Sequence, residues 1–113
     1  MKELLSSKIH RAKVSEANIN YEGSITIDSN LMEKVGLVGG QKVLVASITT
    51  GARLETYVIP GEANSGIICM NGASAHLIKK GEEVIIMGFE ITDKPVVSKS
   101  ILVDENNKFI KNL

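Results

Sequence analysis

Short β-branched and apolar runs, each closed off by a glycine turn, constrain this chain more than any other feature. Ten glycines and only two prolines supply the punctuation. Ser24 to Ile27 alternates as a short strand. Val43 to Ile48 is a β-branched, mostly apolar run and predicts a core strand. The Thr50-Gly51 turn leads into Arg53 to Ile59, which predicts a hairpin. Further strands are expected at Ile67 to Met70, Val84 to Met87 and Val96 to Val103. Strands at this spacing favour a closed or nearly closed all-β barrel, which removes exposed sheet edges. One helix is expected from about Asn30 to Val35, with Asn30 as cap, Glu33 completing a capping box and Gly36 as the stop. A second, single-turn helix is expected after Asn71-Gly72, through Ala73, Ser74 and Ala75. Asn106 to Leu113 is polar and lysine-bearing, and reads as a loosely held end.

With 113 residues the chain fits one compact domain, spanning residues 1 to 113, with a single core and little stability to spare. Association with further copies would help. Thirteen basic and thirteen acidic side chains cancel. No basic stripe of the kind that backbone phosphates require is present, which disfavours nucleic acid as a partner. The N-terminus lacks the apolar stretch of a secretory signal, and no apolar run is long enough to cross a bilayer. The lone cysteine, Cys69, has no partner for an internal disulfide. A cytoplasmic protein with no membrane partner is the expectation. Cys69 lies within Gly-Ile-Ile-Cys-Met, which reads as a buried, inert thiol.

Four segments carry polar chemistry, and each has a plain reading beside the functional one. Lys8 and His10 flank Ile9. On a strand they share one face, with Ile9 in the core. They form either an anion site or an exposed polar face on an edge strand, and spacing alone favours the latter. Gly23-Ser24 is an ordinary turn, or a place where Gly23 presents its carbonyl in a strained geometry to the Ser24 hydroxyl. On Arg53-Leu54-Glu55-Thr56-Tyr57, alternation sets Arg53, Glu55 and Tyr57 on one face and Leu54 and Thr56 on the other. Arg53 offers a fork for a carboxylate and Tyr57 a proton or hydrogen bond. A solvated strand face is the plain alternative. Asn71-Gly72-Ala73-Ser74-Ala75-His76 allows close backbone approach and could hold an oxygen anion. Otherwise it is a turn opening a short helix, with His76 structural. No phosphate loop, dinucleotide fingerprint or metal-ligand cluster appears, so no metal is expected. An enzyme built this way must do its chemistry without a bound metal or nucleotide, which a cofactor made from the chain itself would resolve.

Taken together, Ser7-Lys8-Ile9-His10-Arg11-Ala12, Tyr21-Glu22-Gly23-Ser24-Ile25-Thr26-Ile27-Asp28, Thr50 to Tyr57 and Asn71 to Leu77 resemble the aspartate 1-decarboxylase family of the bacterial pantothenate pathway. The similarity is ordered and weakens after about residue 90. It implies a double-psi β-barrel with one or two short helices, assembled as a homotetramer with sites between subunits. It also implies autocatalytic cleavage at Gly23-Ser24 into a β chain (residues 1 to 23) and an α chain (residues 24 to 113). Ser24 would become a pyruvoyl group that serves to convert L-aspartate to β-alanine and CO2. By position, Lys8 and Arg53 would neutralise the substrate carboxylates, Tyr57 would donate the proton and Thr56 would assist cleavage. Tyr21, His10, Asn71, Gly72, Ala73 and Ser74 would complete the pocket. Whether an accessory maturation factor is needed stays open. Where the family commonly has three alanines, this chain has Ala73-Ser74-Ala75. Two other readings remain: a non-catalytic small barrel for assembly or binding, and a pyruvoyl decarboxylase for another amino acid such as glutamate.

Overall fold

A computed structural model describes residues 1–113. In chain order the elements are β1 (Lys2–Lys13), β2 (Glu16–Asn18), β3 (Ser24–Asp28), α1 (Ser29–Val35), β4 (Lys42–Ser47), β5 (Arg53–Gly61), β6 (Ile68–Asn71), α2 (Ser74–Leu77), β7 (Glu83–Thr92), β8 (Lys99–Val103) and β9 (Phe109–Asn112). The strands hydrogen-bond in the order β2-β6-β3-β5-β4-β7-β1-β8-β9. β1 and β2 are two residues apart in sequence yet stand near opposite ends of that order, so the chain itself closes the sheet. The result is the expected all-β barrel with two short helices. β1–β8, β2–β6 and β3–β5 are parallel. Parallel neighbours need crossovers, which a double-psi barrel has and a simple meander lacks.

The core is a cluster of twenty buried side chains drawn from nearly every element, with Ile9, Ile25, Ile27, Val45, Ile68, Met70, Ile86 and Ile101 fully enclosed. Each large side chain so buried contributes about 1.5–3 kcal/mol. Alternation delivers most of them, but β1 departs from it. Ile9 pairs with Ile86 and Ala12 with Val84, so two residues of β1 face one of β7. That bulge puts Arg11 at φ 64, where its side chain reaches Glu83 Oε1 at 3.1 Å. Ile9 and Ala12 can then both face the core although three residues apart.

Four expectations need correction. β1 lies between β7 and β8, so Lys8 and His10 are not on an edge strand. The cap of α1 is Asp28, not Asn30: its carboxylate accepts from Asn30 N at 2.8 Å, and also from Asn64 N and Gly66 N. A carboxylate with three backbone donors ties the helix start to a distant loop, which local spacing does not reveal. Gly36 does end the helix, at φ 78. The C-terminal segment is tied down rather than loose. Asn107 is buried and accepts from Lys13 N at 2.7 Å while donating to Lys13 O and Gly66 O, and β9 pairs with β8. Finally, β8 begins only at Lys99, while β7 runs on to Thr92, well past Met87.

Candidate active site

The adjacent strands β3 and β6 run antiparallel with Ser24 opposite Asn71 and Thr26 opposite Cys69. One face of this ribbon carries Ile25, Ile27, Ile68 and Met70, all fully buried in the core. Alternation must therefore send Ser24, Thr26, Cys69 and Asn71 to the other face. These four polar side chains form a connected group. Asn71 Nδ2 donates to Ser24 Oγ and to Thr26 Oγ1, each at 2.9 Å. Ser24 Oγ donates in turn to Glu22 O at 3.1 Å. Cys69 Sγ lies 3.1 Å from Asn71 Oδ1. Ser24 is 0% exposed and Asn71 3%. Burial raises the Cys69 thiol above its ordinary pKa, with Glu16 adding to the effect, so it is a protonated, unreactive thiol as expected.

Past Asn71 the chain turns at Gly72, with φ 65. A Cβ there would meet Gly23 Cα and Gly23 N at 2.7 Å and Tyr21 O at 2.8 Å. Only glycine lets this turn lie against the 21–23 segment. Asn18 O fastens the two together, accepting from Gly72 N at 2.8 Å and Tyr21 N at 3.4 Å. Gly23 itself differs from expectation. Its φ is not in the left-handed region, and an added Cβ would meet nothing within 4 Å. The glycine with the unusual backbone is the one pressing on the bond, not the one in it. Ser74 opens α2, and its Oγ donates to Asn71 O at 2.8 Å. The Ser74 hydroxyl is thus committed to the backbone of the turn.

A hollow of about 450 Å³ opens beside Gly23. Its walls are Leu54, Glu55, Thr56 and Tyr57 from β5, and Ala73, Ser74 and Leu77 from the turn and α2. Glu55 would oppose an anionic ligand, but Lys42 Nζ sits 2.9 Å from its Oε2. That hydrogen bond and the carboxylate charge raise the Lys42 pKa. Other hollows of similar size, such as one bounded by Lys13, Asn107 and Lys108, lie away from Gly23.

The sequence-derived site therefore splits in two. Gly23, Ser24, Thr56, Tyr57, Asn71, Gly72, Ala73 and Ser74 gather around the 23–24 peptide, with Tyr21 beside them through its backbone. Lys8, His10 and Arg53 do not border that hollow. Strand alternation holds as expected: Thr56 is half-buried, while Arg53 and Tyr57 are exposed. His10 is partly buried, and its Nδ1 is enclosed with no hydrogen-bond partner. Burial, then the Lys8 and Arg11 cations, lower its pKa, opposed by Glu83. Thr26, Leu54 and Leu77 were given no role by sequence reasoning, and Cys69 was read only as a buried, inert thiol. Counting by twos from Ser24 and back from Asn71 would have found Thr26 and Cys69.

Comparison with known proteins adds an independent finding. The family model described as Aspartate decarboxylase matches residues 1–110. Aspartate 1-decarboxylase of Caldicellulosiruptor saccharolyticus is 52% identical over 113 residues, covering 96% of this chain and 88% of its own. That of Thermoanaerobacter pseudethanolicus is 51% identical, covering 93% of each. That of a Geobacillus species is 46% identical over 93% of this chain and 86% of its own. The crystal structure of the computationally designed msDPBB_sym2 protein aligns with 77% of this chain and 99% of its own at 18% identity, with a TM-score of 0.47.

Proposed function

Starting from the premise that the chain belongs to the aspartate decarboxylase family, we propose that it cuts itself between Gly23 and Ser24 and uses the resulting pyruvoyl group to convert L-aspartate to β-alanine and CO2. One observation carries the reading. Ser24 is wholly buried with a donor aimed at its hydroxyl oxygen, on a strand start pinned by the Gly72 turn. A serine used only to open a surface turn needs none of this.

The proposed cleavage begins with Ser24 Oγ attacking the Gly23 carbonyl carbon. The C–O bond forms, the C–N bond breaks, and the hydroxyl proton ends on the freed amine. A proton then leaves Ser24 Cα to water, and the Cβ–Oγ bond breaks with its electrons going to Oγ. Gly23 keeps a carboxylate, and position 24 is left as dehydroalanine. Addition of water and loss of ammonia complete the change. The Asn71 N–H pointed at Oγ favours the departing oxygen in the elimination step. Thr56, in the wall beside Gly23, is the residue we assign to assisting the first step.

A pyruvoyl group at position 24 would supply an electrophilic ketone and an electron sink for the loss of CO2. The chain's own residues do the rest. Lys8 and Arg53 neutralise the two carboxylates of aspartate, Arg53 through its bidentate fork. Tyr57, on the hollow wall, returns a proton to Cα. His10, Tyr21, Asn71, Gly72, Ala73 and Ser74 complete the pocket. Lys8, His10 and Arg53 lie off the hollow in one chain, so the reading places the site between copies in a homotetramer. Exposed apolar side chains around Gly23 support that placement: Ile19, Tyr21, Tyr57 and Leu77 are 39–55% exposed. No helix is long and apolar enough to cross a membrane, and we place the protein in the cytoplasm.

The test is the mass of the purified protein under denaturing conditions. Two fragments meeting at the 23–24 bond, the larger reactive with hydrazine, together with β-alanine formed from aspartate, are expected. Ser24→Ala should stay a single uncut, inactive chain. A Ser24→Ala chain cut at the same bond would sink the proposal. A parent chain that stays whole after prolonged warming, even with cell extract added, would favour a binding barrel. Turnover of glutamate over aspartate in a substrate panel would reassign the substrate alone.

A further inference from the structure

We propose that Cys69 and Thr26 are positioning residues for the self-cleavage: Thr26 holds the Asn71 carboxamide in place, and Cys69 keeps its N–H groups, rather than its oxygen, turned toward Ser24 Oγ. This rests on the reading that Ser24 is the cleaving nucleophile.

A carboxamide has two nearly equal ends, and only its neighbours decide which way it lies. Every polar position of Asn71 is engaged. Its two N–H bonds go to Ser24 Oγ and Thr26 Oγ1, each at 2.9 Å, and its Oδ1 faces the Cys69 sulfur at 3.1 Å. Reversing the group would point Oδ1 at Ser24 Oγ, whose proton is already given to Glu22 O. It would also leave two buried N–H groups facing a sulfur, which is a weak acceptor. The Cys69 S–H has a second acceptor within reach, Met70 O, but at 3.9 Å. The shorter contact takes the proton. Cys69 stays protonated because burial raises its pKa, so it remains a donor under working conditions.

The arrangement follows from strand register. Thr26 pairs with Cys69 and Ser24 with Asn71, so four polar side chains occupy one patch of ribbon, with the core behind them. In the cleavage chemistry an N–H on Oγ supports the oxygen as it leaves. A carbonyl oxygen in that place would repel it. Orientation of one amide therefore separates a supporting group from an opposing one. A hydrophobic residue at 69 could fill the space but could not make that choice.

The experiment follows the fraction of cut chain against time, by denaturing mass spectrometry, for the full-length protein and four variants. Cys69→Ser keeps a donor and should cut within about threefold of the parent. Cys69→Ala keeps an apolar surface, removes the donor and should cut about tenfold or more slowly, the scale of one lost hydrogen bond in the transition state. Thr26→Val should be slowed likewise, and Thr26→Ser restored. Melting temperatures measured in a Ser24→Ala background, where every chain is whole, separate cleavage from folding. Should Cys69→Ala not fold, the Thr26 pair still tests whether the carboxamide must be held against Ser24. Cutting of Cys69→Ala at the parental rate, or of Cys69→Ser as slowly as Cys69→Ala, overturns the inference. So does equal cutting by Thr26→Val and Thr26→Ser. A parent chain that is never cut defeats the underlying reading instead.

Discussion

The ribbon around Ser24 and the surface carrying Lys8 and Arg53 are opposites in construction. Around Ser24 the serine hydroxyl and the Asn71 carboxamide have partners inside the chain, the backbone is pinned by a glycine whose added Cβ would clash, and the Ser24 side chain is buried although Gly23 beside it is exposed. Arg53 is exposed and has no ion pair within the chain, and near Lys8 the His10 Nδ1 is enclosed yet unpartnered. On the proposed reading, making the cofactor would be local to one copy, while binding the substrate would depend on assembly.

The strongest attempt to break that contrast is Gly72→Ala. The new methyl would sit 2.7 Å from the backbone of Gly23, at a φ of 65 that alanine resists. The turn must lift, which we expect to slow cleavage about a hundredfold, or roughly 2–3 kcal/mol. Mass spectrometry of the purified chain reads it. Cutting at the parental rate would show that contact of the turn with the 21–23 segment is idle.

A smaller effect, confined to the second region, is expected for Arg53→Lys. This chain should fold and cut itself normally, while its KM for aspartate rises about tenfold or more, because one ammonium does not replace a bidentate fork. Unchanged steady-state kinetics would remove Arg53 from the site. Impaired cutting would erase the separation drawn here.

The smallest expected effect concerns His10. Its pKa is lowered by burial first, then by Lys8 and Arg11. An NMR titration should show a midpoint below the ordinary histidine value, moving upward in Lys8→Met. The sign for stability follows. As pH falls below the ordinary value the unfolded chain takes the proton first, so the His10 contribution is full above that value and is lost as pH drops toward the folded pKa. A midpoint unmoved by Lys8→Met would mean the two side chains do not share a face.

Much of this was legible from spacing. Several strands and the division of β5 into two faces follow from period-two alternation, and the short helix at Ser74 follows from the Asn71-Gly72 turn. What escaped depended on partners far along the chain. Asp28 was passed over as a cap because its other two donors belong to residues 64 and 66. Lys8 and His10 read as an edge-strand face because nothing local shows that their neighbour Ser7 is buried, with its hydroxyl donating to Val35 O at 2.6 Å. The unusual backbone expected at Gly23 belongs to Gly72, which nothing local reveals until the turn is seen against the 21–23 segment. Asn107 looked like part of a polar tail, though its amide bridges β1 and the Gly66 loop.

The placement of β1 between β7 and β8 has a consequence for the history of each molecule. Residues 1 to 23 supply an interior strand that is laced into the other ninety, so a cut at 23–24 leaves two pieces that stay clasped. Clasping them anew is another matter. The uncut precursor finds its strand as a one-body event, whereas separated pieces must meet by collision and thread a middle position in a sheet already formed. On the proposed reading folding must therefore precede cutting, and the cut would work as a ratchet. A cut molecule melted once would have lost the tether that assembled it, so heating and cooling curves should coincide for the Ser24→Ala chain and diverge for a processed one.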